Sequence, residues 1–141
     1  MPYQLIYSSQ ATEPMTADSL EVILADARAG NTARGVTGAL VYVDGVFLQI
    51  LEGEKSVVVD LMSRIAQDAR HGLVKVFHEA EVEAPGFGSW RMAYLSATPE
   101  QVSAWAGLPG TATIEALLAD LDREPRHAAQ MAASLLRALA A

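Results

Sequence analysis

The chain has no cysteine, which excludes a disulfide framework, a thiol nucleophile and thiolate metal sites. Cations are scarce: 10 Lys and Arg stand against 17 Asp and Glu, for a net charge of −7. Phosphate binding wants clustered Lys and Arg, so no nucleic-acid partner is expected. No uninterrupted apolar run reaches the roughly 18 residues of a membrane helix. The N-terminus lacks the basic-then-apolar pattern of a signal peptide. A cytoplasmic protein with no membrane partner is therefore expected. His71, His78 and His127 show no metal-ligand spacing, so no metal is expected. What is present is a chain of 141 residues, 51% hydrophobic and 19% charged, long enough for one well-packed core.

Residues 3–8 alternate as a first strand. Capping residues at Thr16–Ser19 precede Leu20, Ile23, Leu24 and Ala27, a helical stripe expected to end near Gly30. Residues 38–43 and 46–51 flank Asp44-Gly45, a strong hairpin signal. Val58, Leu61, Met62 and Ile65 give a second helix, expected to stop near Asp68. Residues 73–82 read as a fourth strand. Pro85, Gly86 and Gly88 break the chain, and 90–95 reads as a fifth. The order is β-α-β-β-α-β with one strand added. It predicts an α+β, ferredoxin-like sandwich with two helices on one face of a mixed sheet, followed by C-terminal helices. Strands 1 and 3 are expected to be parallel neighbours at its centre. Residues 1–97 would form the sheet domain. Residues 98–141 would form a helical extension packed on the second sheet face or at an oligomer interface.

One residue breaks the apolar pattern. Gln49 lies in Val46-Phe47-Leu48-Gln49-Ile50-Leu51, a run apolar on both alternating faces, as in a strand covered on both sides. A buried amide has donors and an acceptor to satisfy, at a cost of roughly 1–3 kcal/mol if they are left unpaired. Adjacent central strands put Tyr7 on the same face as Gln49, with Tyr3, Leu5, Phe47 and Leu51, looking toward the two helices.

Taken singly, these residues have plain readings. Gln49 can be satisfied by backbone, and Tyr7 can be a core tyrosine with its hydroxyl at the edge. Asn31 after Gly30 can be a helix C-terminal residue. Arg70-His71 can cap the second helix, where the dipole favours cations. Trp90 and Met92, two apart on a strand, can be packing. Asp18, Glu21 and Asp26 read as a solvated face.

In combination, the residues resemble the BLUF family of flavin-based blue-light sensors over about residues 3–95. The matching pieces are Leu5-Ile6-Tyr7-Ser8-Ser9, Ala27-Arg28 with Asn31, and Gly35-Val36-Thr37-Gly38. Tyr42, Asp44-Gly45, Phe47-Leu48-Gln49 and Leu51-Glu52-Gly53 follow. Ile65, Asp68 with Arg70-His71, and Trp90 with Met92 complete the set. Each piece is common by itself; the ordered set is not.

The resemblance implies a blue-light photoreceptor, not an enzyme, with a flavin between two helices. FAD is the first expectation, with FMN and riboflavin as alternatives. It implies that Tyr7 donates an electron and a proton in the photochemistry and that Gln49 is the switch between Tyr7 and the ring. It implies that Asn31 pairs with the pyrimidine end, that Ile23, Phe47, Leu51 and Ile65 line the ring, and that Asp68, Arg70 and His71 lie along its edges. Trp90 and Met92 resemble the pair near the glutamine that takes part in signalling. Gly30 stands where relatives often carry a polar side chain, which removes one possible contact near the ring. No output domain is recognisable after residue 97, so the expected partner is a separate effector protein, with homo-oligomerisation through the apolar C-terminal helices. The competing reading is a ferredoxin-like small-molecule-binding or hydrolase domain without photochemistry, such as an acylphosphatase-like one. That chemistry needs an anion cradle after the first strand, where Ser9-Gln10-Ala11-Thr12-Glu13 offers no arginine.

Overall fold

A computed structural model of the chain describes residues 2–12, 16–67, 71–83, 93–108 and 113–140. The elements run β1 (Tyr3–Ala11), α1 (Ala17–Arg34), β2 (Thr37–Val43), β3 (Val46–Gly53), α2 (Lys55–Gln67), β4 (His71–Glu81), β5 (Ala93–Ser96), α3 (Pro99–Trp105), α4 (Ile114–Arg123) and α5 (Pro125–Ala140). The sheet order is β4-β1-β3-β2-β5. This is the expected α+β architecture. The strand β1 is longer than expected, so Ser9 to Ala11 belong to the sheet and not to a loop.

The direction of one pair differs from expectation. Strands β1 and β3 are neighbours, but antiparallel, with Tyr7 opposite Gln49. The reason is geometric. Asp44 and Gly45 have φ of 47° and 79°, as a tight two-residue hairpin requires, so β3 runs against β2. The crossover through α1 makes β2 run the same way as β1. A strand inserted between them must oppose both. The sheet is mixed only because β5 adds parallel to β2.

Helix α1 also differs, continuing past Gly30 to Arg34. The residue that ends it is Gly35, at φ 70°, whose N–H is donated to the carbonyls of Asn31 and Thr32. This left-handed position is the one that favours glycine. Asn31 is thus carried inside the helix and buried, at 2% exposure.

The alternation of β3 assigns its side chains to two cores. Tyr3, Leu5, Tyr7, Leu40, Phe47 and Leu51 pack with Ile23 and Leu24 of α1 and Val58, Leu61 and Met62 of α2. Ile6, Val41, Leu48 and Ile50 pack on the other face with Val102, Leu117, Leu121, Met131 and Leu135 of the C-terminal helices. At the end of this second face, Gln4 Nε2 donates to Glu52 Oε2 at 2.8 Å.

Candidate functional site

The strands β1 and β3 bring Tyr7 and Gln49 into register as directly opposed residues, and side chains so opposed share one face. The Tyr7 hydroxyl donates to Gln49 Oε1, in a buried bond between residues 42 apart in sequence. Tyr7 is fully buried and Gln49 is 5% exposed. On the far side of Tyr7 the pairing of β1 with β4 shifts register between Ile6 and Tyr7, and again between Ser8 and Gln10. Each shift leaves an extra residue on β4, as bulges do at sheet edges and beside functional sites. Leu73, at φ 46° and exposed, lies within the second.

Between α1 and α2, over this pair, lies a cavity of about 250 Å³. Its apolar walls are Ile23, Ala27, Leu40, Leu61 and Ile65. Two buried amides, Asn31 and Gln49, also line it, with Asp26, Arg34 and Arg64 as charged groups and Gly30 as a gap in the wall. Apolar walls with a few convergent polar groups describe a small-molecule site. The volume suits a flat ring whose substituent extends outward.

Four expected site residues meet here: Ile23, Asn31, Gln49 and Ile65. Tyr7 reaches the site through Gln49. Phe47 and Leu51 lie fully buried in the core cluster beneath and are not among the lining residues. Asp68, Arg70, Trp90 and Met92 lie outside the described residues. His71 opens β4, and its side chain likewise lies outside them. Leu40, Leu61 and the charged groups Asp26, Arg34 and Arg64 were not anticipated. Their signal was present: 23, 26, 27, 30, 31 and 34 form one helical stripe, as do 61, 64 and 65. Arg64 Nε meets Asp60 Oδ2 at 3.0 Å, with both side chains more than half exposed, so this pair adds little stability.

Residues 3–93 match the family described as BLUF, sensors of blue-light using FAD. The chain belongs to the BLUF family. Over 105 residues it is 40% identical to the photoactivated adenylate cyclase subunit beta of Euglena gracilis, covering 74% of this chain and 12% of that protein. The chain therefore spans only a small part of the curated relatives it matches. Among solved structures, BlsA in its photo-activated state is 26% identical with a TM-score of 0.77, covering 96% of this chain and 95% of that one. The dark-state structure of BlrB, a BLUF protein, shares the fold at 24% identity and a TM-score of 0.75, covering 97% of this chain and 96% of that one. The last two likenesses include the C-terminal helices.

A BLUF chain is a blue-light sensor that binds a flavin, and the cavity fits that group. Buried amides at 31 and 49 could offer donors and acceptors to the polar edge of a ring, and the aliphatic walls of the cavity could cover its faces. No helix among the described residues is long and apolar enough to cross a membrane.

Proposed function

We propose that this chain senses blue light through a relay from Tyr7 to Gln49 and passes the result to a separate effector protein. The observation that carries this reading is the buried Tyr7–Gln49 hydrogen bond at the wall of the cavity. When bound, the flavin supplies the absorption of blue light and an acceptor for an electron and a proton. Tyr7 is the donor of both, and its hydroxyl proton leaves along the bond to Gln49 Oε1. Gln49 is suited to relay it because one end of an amide accepts and the other donates. With Oε1 accepting from Tyr7, Nε2 is the donating end. Rotation or tautomerisation of the amide exchanges these roles and alters the hydrogen bond offered to the ring. A half-satisfied network is costly in a buried site, so two discrete arrangements are favoured. One altered hydrogen bond amounts to about 0.5–1.5 kcal/mol, close to the lower end of allosteric couplings. Asn31 would hold the polar end of the flavin, and Ile23 and Ile65 would pack against its ring.

The photoactivated adenylate cyclase subunit beta of Euglena gracilis matches this chain over only 12% of its own length, which supports reading the matched region as the light-sensing part. The apolar residues of the C-terminal helices pack on the second sheet face, so self-association would use another surface, and light-scattering mass in dark and light tests it directly. The deciding experiment for the function is an absorption spectrum of the purified protein before and after blue light. A yellow protein with a reversible red shift is expected. A protein that stays colourless after flavin is added would overturn the reading.

A further inference from the structure

Gly30 and Arg34 stand one turn apart on α1, and both line the cavity. Helical side chains lean toward the N-terminus, so Arg34 covers the turn that holds Gly30. A Cβ on Gly30 would come within 2.6 Å of Arg34 Nη1. The missing side chain therefore lets the guanidinium lie down against the helix at the cavity wall. Arg64, across the cavity on α2, is engaged by Asp60. No carboxylate among the described residues pairs with Arg34.

We propose that Arg34, seated over Gly30, binds the phosphate of a flavin nucleotide tail and makes this site prefer FMN and FAD to riboflavin. The inference rests on the flavin reading above and adds a specificity determinant to it. The two amides at the cavity wall are buried, at 2% for Asn31 and 5% for Gln49, whereas Arg34 is half-buried. The cavity thus runs from an amide-lined interior to a charged rim, where Arg34 and Arg64 outnumber Asp26, the one lining carboxylate among the described residues. A phosphate at the rim keeps part of its hydration and avoids the cost of full burial. A guanidinium presents a planar fork that matches two phosphate oxygens. The chain's net charge of −7 repels a tail anion generally, so a local cation is needed to hold one. Arg34 also stands in the last turn of α1, where a cation complements the helix dipole. That role is indifferent to the tail of the ligand, and this separates the two.

The test is the dissociation constant of riboflavin, FMN and FAD with the full-length apoprotein, followed by flavin fluorescence at low and high salt. Arg34→Gln is expected to weaken FMN and FAD about tenfold, the scale of a charge-assisted phosphate contact. Riboflavin should change by less than about twofold, which also reports that the variant is folded. Arg34→Lys keeps the charge without the fork and should fall between. Added salt should weaken FMN in the wild type and have little effect in Arg34→Gln. Equal losses for all three flavins, or no loss for FMN and FAD, overturn the proposal while the sensor reading stands. A wild-type protein that binds none of the three overturns both.

Discussion

The two faces of the sheet are made by alternate residues of the same strands, yet they pack differently. On the face covered by the C-terminal helices, Leu48 and Ile50 meet fully buried aliphatic side chains such as Leu117, Leu121 and Leu135. Its polar pair, Gln4 and Glu52, is satisfied internally. On the face covered by α1 and α2, Tyr7 and Gln49 are bonded to each other, and a cavity remains above them. A close-packed layer supplies stability; a layer with a ring-sized gap surrenders some of it for a ligand. Strand β3 therefore serves two purposes at adjacent residues, with Leu48 and Ile50 anchoring the strand that presents Gln49.

The comparison breaks first if the packed face proves dispensable. Leu117→Ala, at a fully buried position, should cost about 2–5 kcal/mol through lost burial and the cavity left behind. Urea denaturation of the apoprotein measures this, and the light-induced shift of the folded fraction should persist. A loss under about 1 kcal/mol would mean that the site had collapsed to fill the gap.

On the other face, Gln49→Leu should cost less stability and more function. Removing the amide takes from the Tyr7 hydroxyl its bond to Gln49 Oε1, worth about 0.5–1.5 kcal/mol. Flavin should still bind, and the reversible shift should vanish. Tyr7→Phe removes only an oxygen, so about 0.5–1.5 kcal/mol is expected, again with flavin bound and no photoproduct of the wild-type kind. A normal photocycle in either variant, read by absorption spectroscopy, contradicts the relay.

Much of this division was legible in the sequence. Apolar alternation and the Asp44-Gly45 turn place Gln49 on the face of Tyr7 whichever way the strands run, because side-chain period is independent of direction. That is why the pairing survived a wrong expectation of parallel strands. The end of α1 was less legible, since Gly30 and Gly35 both look like caps. Only the chain path shows that Gly35 takes the left-handed conformation, at the cost of about 1 kcal/mol for glycine in the helix interior. The charged lining escaped notice for a different reason. Asp26, Arg34 and Arg64 share helical stripes with Ile23, Asn31 and Ile65, but a charge on a helix surface reads as solvated, so the stripe alone does not mark them as cavity lining.

The smallest expected effect tests whether the faces communicate. Thr98 caps α3 on the packed side: its hydroxyl accepts from Gln101 N–H at 3.2 Å, and Gln101 Oε1 accepts from Thr98 N–H at 2.9 Å. Thr98→Ala should cost about 1 kcal/mol and leave the absorption shift unchanged. Its return in the dark is the sharper observable. The sheet is one layer thick, so any displacement of β3 at Gln49 is felt by Leu48 and Ile50 against the helices behind them. If the packed face acts only as an anchor, the dark-return rate of Thr98→Ala should stay within about twofold of wild type, since loosening one cap then stabilises neither state over the other. A larger change would mean that the capped helix is strained or relieved when Gln49 switches. The packed face would then be part of the output.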